Sequence, residues 1–522
     1  MLPRLGNARL WSPQGMAIPW AALGLALAAS SLAWLWGPAE NGAFDSAFYL
    51  DGARHLAAGD GYVSAYVEPG RTDYDAITHW APGTSALIAI LIKLGASPLT
   101  ASSLVLGACY VAAVLLVFGL GVRLAGARYW PLCLLVSVVF ALQPSTLSWL
   151  DALLSDVPCA TFALLSLWLA LRVMRSAEPS LLLRFGFGLS IAWLDLVRYA
   201  GLLFIPGMLV ATVLGMRIGK PLWVRAWRLW PTLITAAVGV AAWNFRNKHV
   251  ADKPLGGWTF VDSELAQHFE RATKAGFVWV DELLQEAGLA GFETPFLVLM
   301  YFATFSLVAL AVVSARAAWR ETALVGLTTA GYAALMIATA SVTLIAPLSE
   351  TRFWVGVWPL ELLLVLIAVA HAGPRWCLVP KLIVIAALLC AAGLFARKTY
   401  RDLPYARQPR GLLAPAWQRA TEVLPGPDEC RLYVNDPRPY MLNRQLAPTS
   451  AIPATLPELE AAVQNASSVC IVVSIKHRSL RLSGSAERRR VPQMEVVDAL
   501  QQQGRLERIA GKAGVTVYRL RL

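Results

Sequence analysis

Residues 40–94 read ENGAFDSAFYLDGARHLAAGDGYVSAYVEPGRTDYDAITHWAPGTSALIAILIKL. The stretch follows one long apolar segment, precedes another, and is too long for a hairpin loop. It carries Asp45, Tyr49, Asp51, Arg54, His55, Asp60, Asp73, Asp75 and His79. Phe44–Ala58 has the spacing of a short amphipathic helix, with Phe48 and Leu56 on its apolar side. Gly59-Asp60-Gly61 ends that helix by turn chemistry. Pro82 and Gly83 open a second apolar stretch over 84–94. It is shorter than the roughly 20 residues a crossing needs, so it is expected to lie along the membrane interface. A polar loop with its own helical period, held between membrane segments, is where chemistry is expected.

Outward from this loop the chain is strongly apolar. It has 522 residues, 57% hydrophobic and 15% charged, with a mean hydropathy of +0.55. Apolar runs of about 20 residues recur through residue 396, which predicts an all-α polytopic membrane protein with about eleven spans. They fall at 16–37, 99–122, 129–148, 152–174, 183–197, 199–216, 229–247, 295–315, 322–345, 353–372 and 377–396. Asp195 and Arg198 interrupt one apolar run between the fifth and sixth. A membrane β-barrel would show shorter, alternating segments. Residues 16–36 are too long for a signal h-region and lack a small-residue cleavage site, so they are read as the first anchor. The transmembrane domain is thus placed at 1–396, with its first outer loop at 38–98.

From residue 397 the character changes. Pro404, Pro409, Pro415, Pro425 and Pro427 mark irregular linkage, and strand-like runs follow at Arg431–Val434, 468–474 and Val515–Leu520. Helical patterns lie at 456–464 and 493–503. Residues 397–522 are expected to form a small α/β domain outside the membrane. Arg488, Arg489 and Arg490 read as a solvated charge run, with an anionic lipid or glycan contact as the alternative. The loop at 248–294 carries an amphipathic stretch at 263–275 and reads either as a lid or as a plain connection.

The net charge of +12 does not indicate nucleic acid, because Arg and Lys sit in short loops where they orient membrane segments. Arg4, Arg9, Arg123, Arg128, Arg172, Arg175, Arg184, Arg225, Arg228, Arg316 and Arg320 all fall on one side if the span count holds. That side is cytoplasmic, as is the N-terminus, and the C-terminal domain is extracytoplasmic. Cys109, Cys133, Cys159, Cys377 and Cys390 fall in apolar segments and read as small buried hydrophobes. Cys430 and Cys470 lie in the C-terminal region, where an oxidising compartment would let them pair; their spacing does not decide it.

Ionisable residues at membrane ends need partners or a function. The predicted topology collects Asp45, His79, Asp151, Ser155, Asp156, Asp195, Arg198, Asn244, Arg246, Glu350 and Arg352 on the outer face. Carboxylates can activate a nucleophile, and arginines hold phosphate bidentately. Each residue also has a structural alternative: Asp45 and Asp156 as helix caps, Arg198 paired with Asp195, Arg246 as an interfacial anchor, Arg352 paired with Glu350, and His79 packed beside Trp80.

The runs Phe44-Asp45-Ser46-Ala47-Phe48-Tyr49-Leu50, Ala53-Arg54-His55-Leu56-Ala57-Ala58-Gly59-Asp60-Gly61-Tyr62 and His79-Trp80-Ala81-Pro82-Gly83 resemble the first outer loop of GT-C membrane glycosyltransferases. The resemblance is to the bacterial branch related to dolichyl-phosphate-mannose–protein mannosyltransferases and the lipid A aminoarabinose transferase. Leu154-Ser155-Asp156, Arg198-Tyr199-Ala200-Gly201-Leu202 and Thr351-Arg352-Phe353 before Trp358-Pro359 fit the same pattern, which covers roughly 16–400. The resemblance implies transfer of a sugar from a polyprenyl-phosphate carrier to a hydroxyl acceptor in the cell envelope, on the outer face of a bacterial plasma membrane, with inversion. It implies Asp45 as the base and Asp156 as the second acid. It also implies Tyr49, His79, Arg198, Arg246 and Arg352 as substrate contacts, and either no required cofactor or a divalent cation (Mg or Mn). The chain departs from the Asp-Glu of many relatives at Asp45-Ser46. Two other readings stand beside this one: a transporter or flippase of an anionic lipid, and an assembly protein without activity.

Overall fold

The computed structural model describes residues 13–36, 44–67, 73–216, 221–251, 319–342, 354–371, 378–406, 430–435, 449–464, 466, 468–474, 479–481, 488–490, 492–512 and 515–521. They divide into two compact units. The first is Met1–Pro38, Leu104–Leu150 and Ser155–Arg407; the second is Ala39–Ser103, Asp151–Leu154 and Gln408–Leu522.

In chain order the helices are α1 (Pro13–Trp36), α2 (Phe44–Ala58), α3 (Gly83–Lys93), α4 (Pro98–Ala125), α5 (Trp130–Leu142), α6 (Pro144–Asp151), α7 (Asp156–Arg175) and α8 (Leu181–Val197). A 3-10 turn over Tyr199–Phe204 follows. After it come α9 (Ile205–Gly215), α10 (Leu222–Arg228), α11 (Trp230–Ala251), α12 (Trp319–Val342), α13 (Trp358–His371) and α14 (Leu378–Ala406). Helix thus lies on the expected apolar segments, except that the 295–315 segment and the 263–275 stretch lie outside the described residues.

By length and apolarity, four described helices can cross a membrane: Ala17–Trp36, Pro98–Ala125, Asp156–Arg175 and Lys381–Pro404. A bent pair, Ala127–Leu142 with Pro144–Leu150, makes a fifth. The expected single segment at 129–148 is broken because Pro144 forces the preceding Gln143 into extended backbone (φ −62, ψ 123), and the two halves meet at 54°. The last helix also runs on to Ala406, past the expected boundary at 396.

Hydrogen bonds between helices tie the first unit together. The Tyr110 hydroxyl donates to the Ala141 carbonyl (2.6 Å) and the Thr161 hydroxyl to the Cys109 carbonyl (2.8 Å). The Ser166 hydroxyl donates to the Ser190 oxygen (3.0 Å). Such bonds replace the hydrophobic drive that lipid cannot supply between apolar helices. At one end the basic residues cap neighbouring helices. Arg175 donates to the Arg123 carbonyl (2.8 Å) and pairs with Glu321 (3.3 Å). Arg184 donates to the Arg228 carbonyl (3.0 Å), and Arg225 to the Leu214 carbonyl (3.2 Å). The loop arginines between 123 and 228 therefore meet at a common end, as their sequence positions predict.

The second unit is built on a six-stranded sheet. Its strands are β2 (Tyr66–Val67), β4 (Arg431–Val434), β5 (Thr449–Ala451), β6 (Val469–Ser474), β9 (Leu506–Lys512) and β10 (Val515–Leu520), in the order β2-β5-β4-β6-β10-β9. Strands β2, β5, β4 and β6 run parallel, and β10 is antiparallel to both β6 and β9. Two further helices, α15 (Leu456–Val463) and α16 (Pro492–Gln502), cover it, with Leu459, Val497 and Leu500 buried against Tyr433, Ile471 and Val473. Strands β4, β6 and β10 and these two helices lie on the strand-like runs and helical patterns read from the sequence. Two pairs of short strands complete the unit: β1 (Val63–Ser64) with β3 (Asp75–Ala76), and β7 (Ser479–Arg481) with β8 (Arg488–Arg490). The Arg488–Arg490 run forms one of these strands.

The edge strand β2 comes from the first outer loop. Tyr66 pairs with Thr449, and the Thr449 N–H donates to the Ala65 carbonyl (2.7 Å). The loop that was expected to belong with the membrane domain is thus continuous with the C-terminal sheet. Cys430 and Cys470 form a disulfide across β4 and β6, with a Cα–Cα distance of 5.8 Å. The bridge closes a separation of 40 residues and contributes on the order of 3 kcal/mol. A thiol-specific maleimide should label Cys430 and Cys470 only after reduction, and Cys430→Ser should lower the melting temperature; labelling of both without reductant would contradict the bridge.

Candidate functional site

In the first unit the decisive geometry is a buried ion pair. Asp156 begins α7, and Ser155 stands before it as the N-cap residue, where a carboxylate meets the positive end of the helix dipole. Asp156 is 1% exposed. Its Oδ1 lies 2.9 Å from Arg198 Nη1, and the same guanidinium donates to the Ser155 hydroxyl at 3.3 Å. Arg198 reaches this position because α8 ends at Val197 and the next residue is fully extended (φ −161, ψ 128). The chain then tightens into the 3-10 turn, and Gly201 is required there: a Cβ would meet the Leu194 carbonyl oxygen at 2.3 Å. Tyr332 of α12 lies within electrostatic reach of Asp156 and Arg198. Its ring stacks on Phe204 (4.0 Å) and meets Trp354 edge-on (6.1 Å).

The pairing settles one alternative. Arg198 pairs with Asp156, not Asp195. Asp195 is fully buried in α8, and neither of its carboxylate oxygens has a hydrogen-bond partner among the described residues. A helical pattern cannot reveal this, because the break after Val197 rotates Arg198 away from the face that carries Asp195.

The neighbouring Tyr199 turns the other way. Its hydroxyl accepts from Trp243 Nε1 (2.9 Å) and Asn247 Nδ2 (3.1 Å), both on α11. Arg246 donates to Asn247 Oδ1 (3.0 Å) and lies over the Trp243 ring at 4.8 Å. Trp243 and Asn247 were not among the expected site residues, although their i, i+4 spacing puts both on one helical face.

In the second unit Asp45 is half-buried in the first turn of α2, again at the favourable end of a helix. The next residue, Ser46, is fully buried, and its hydroxyl donates to the Ala152 carbonyl. Ala152 precedes Leu153, which has φ 51, a left-handed conformation that is uncommon for a bulky residue. Ser46 therefore clamps a strained turn. Asp51 anchors the loop: its Oδ2 accepts from the Ser64 hydroxyl (2.9 Å) and the Ala65 N–H (2.8 Å). Burial pushes the Asp51 carboxyl above its ordinary range, opposed by the Ala65 N–H, by His55 and by Ser64. His55 Nδ1 lies 2.9 Å from Asp60 Oδ2, and Nε2 lies 3.9 Å from Asp51. Burial lowers Arg54, and Asp51 opposes that shift.

Tyr49 is 4% exposed, and its backbone carbonyl accepts the Ser85 hydroxyl (2.8 Å). His79 is exposed, 5.8 Å from the Trp80 ring, which stacks on Phe48 (4.0 Å). Arg352, with Glu350, lies outside the described residues. Among the described residues no three His, Cys, Asp or Glu side chains converge as a metal site.

The same architecture occurs in solved structures. ArnT from Cupriavidus metallidurans matches with a TM-score of 0.60 at 13% identity, over 97% of this chain and 98% of that one. The fold is that of the GT-C glycosyltransferases. The oligosaccharyltransferase of Archaeoglobus fulgidus matches with a TM-score of 0.53 at 13% identity, over 88% of this chain and 70% of that one. The mycobacterial arabinofuranosyltransferase AftD matches at 0.54 and 14% identity, over 96% and 40% of the two chains. No family model and no curated protein matches this sequence. The GT-C architecture expected from the sequence is matched by three-dimensional likeness, at 13–14% identity.

The raised Asp51 carboxyl has a definite consequence. A group that binds its proton more tightly when folded than when unfolded gives stability that is present below the ordinary value of 3.8 and lost as pH rises through the raised one. Melting temperature should fall with rising pH across that window in the wild type, and Asp51→Asn should flatten the slope. An unchanged slope in the variant would assign the dependence to another group.

Proposed function

We propose that this GT-C chain is an integral membrane glycosyltransferase that moves a sugar from a polyprenyl-phosphate carrier to a hydroxyl acceptor on the outer face of a bacterial plasma membrane. The observation that carries the proposal is the likeness over 97% of the chain to ArnT. A second ArnT structure is described as bound to undecaprenyl phosphate, and the archaeal enzyme is described in complex with a dolichol-phosphate. All eleven apolar segments cross the bilayer in this proposal. The meeting of arginine side chains at a common helix end supports a cytoplasmic placement of that end. The Cys430–Cys470 bridge supports an oxidising surrounding for the C-terminal sheet.

The reaction is a single displacement. The acceptor oxygen forms a bond to the anomeric carbon as the bond from that carbon to the phosphate oxygen breaks. The electron pair leaves on the carrier phosphate, and configuration inverts. Phosphate is already a good leaving group, so the demand is for a base, and Asp45 takes the acceptor proton. The charge that develops on phosphate needs fixed cations, and Arg198 and Arg246 supply them. Arg352 and His79 are further phosphate contacts in this reading, and Tyr49 serves through its placement in the loop. Asp156 fixes Arg198 in place.

Purified protein in liposomes, given a panel of labelled polyprenyl-phosphate sugars, should turn over one donor. Asp45→Asn should lower turnover about 100-fold or more with carrier binding retained; loss of turnover with a chelator would assign a divalent cation to the reaction, and unchanged turnover would assign none. Movement of a donor across the bilayer without sugar release would replace the transferase with a transporter. Undiminished transfer by Asp45→Asn would remove Asp45 as the base. Asp156→Asn and Arg198→Gln should cost similar amounts, because each leaves its buried partner uncompensated; a silent Asp156→Asn would end the pairing argument.

A further inference from the structure

Arg246 sits on α11, which carries exposed apolar side chains on one side and buried ones on the other. Phe245 is 74% exposed and Val238 62% exposed, so α11 presents apolar side chains on its outer side. An arginine there would ordinarily extend toward the membrane surface. Arg246 does not. Trp243 lies three residues earlier, on an adjoining face, and its ring underlies the guanidinium at 4.8 Å. Asn247 is the next residue along. Adjacent helical side chains do not normally face one another, yet Arg246 Nη1 bends back to Asn247 Oδ1 at 3.0 Å. The two residues that turn Arg246 are themselves fixed from outside the helix, since both donate to the Tyr199 hydroxyl. Asn247 is fully buried, and its amide is used on both sides: its nitrogen on Tyr199 and its oxygen on Arg246.

We propose that Tyr199, Trp243 and Asn247 are positioning residues that hold the Arg246 guanidinium turned from the lipid toward the carrier phosphate, with Asn247 as the link. The inference rests on the phosphate role given to Arg246 above. Tyr199 is the reference point because the chain break at Arg198 fixes it. The same two residues, Arg198 and Tyr199, thus set two cations: Arg198 directly, paired with Asp156, and Arg246 through α11. Asn247 hands a fixed position from Tyr199 to a side chain that has many rotamers of its own. Holding the guanidinium before the ligand arrives saves the ordering cost that a long flexible side chain otherwise pays on binding.

The test uses the full chain in lipid nanodiscs with undecaprenyl phosphate as the probe, and compares dissociation constants for the wild type, Arg246→Gln, Asn247→Leu and the double variant. Each single variant should weaken binding about tenfold, the scale of a lost hydrogen bond to a charged group. The double variant should bind no more weakly than Arg246→Gln, because Asn247 acts only through Arg246. Tyr199→Phe, which keeps the ring and removes the shared acceptor, should also weaken binding, and should do nothing in the Arg246→Gln background. It carries the same test if Asn247→Leu does not fold. Additive losses, or unchanged binding in Asn247→Leu and Tyr199→Phe beside a weakened Arg246→Gln, would overturn the positioning role and leave the proposed function standing. Failure of the wild type to bind the probe, or full binding by Arg246→Gln, would overturn the phosphate role and this inference with it.

Discussion

The ion pair between Asp156 and Arg198 is the interaction on which the first unit depends. A carboxylate that is 1% exposed beside apolar helices is costly to bury in its charged form, and Arg198 offsets that cost at 2.9 Å. Supplying this charge constrains the backbone. Helix α8 must stop at Val197, Arg198 must be extended, and a 3-10 turn must follow with glycine at 201. The apolar run that looks continuous around 183–216 is broken to serve this pair. The same break delivers Tyr199 to α11, where two donors converge on its hydroxyl.

The second unit depends on an analogous device, an acidic side chain that gathers backbone. Asp51 takes the Ser64 hydroxyl and the Ala65 N–H, and the next residues pair with the C-terminal sheet as β2. The carboxylate stays buried at a cost, visible in its raised affinity for a proton, and the hydrogen bonds offset part of that cost. Ser46 acts nearby in the same way on the turn that holds Leu153. An acid and a hydroxyl inside the quoted loop thus do structural work.

Most of the helical architecture is legible in the sequence because burial in lipid demands long unbroken apolar runs, and such runs are visible one residue at a time. The stop of α2 at Gly59-Asp60-Gly61 was legible as well: Gly59 and Gly61 have φ 98 and 91, and the His55 carbonyl accepts from both Gly59 and Asp60. The loop motifs around Asp45, Asp156 and Arg198 pointed to the GT-C architecture before any coordinates did. Less legible was the bend at Gln143–Pro144 inside one apolar run, although the proline was there to be read. Tyr49 is a contrary case, since an aromatic in an expected site loop is also what a loop core requires.

The sequence by itself determined the apolar segments, the gathering of basic loops, the α/β character of the C-terminal region and the candidate carboxylates and arginines. These follow from composition and period, which are properties of neighbouring residues. Only the tertiary structure decided which charge meets which. It gave Arg198 to Asp156 and left Asp195 without a hydrogen-bond partner among the described residues, joined Cys430 to Cys470, added residues 66–67 to a sheet whose other strands begin at residue 431, and turned Arg246 onto Asn247. Each of these outcomes depends on where the chain breaks or returns. A pairing between distant residues is fixed by packing and by the cost of burying a lone charge, and neither leaves a periodic trace along the chain.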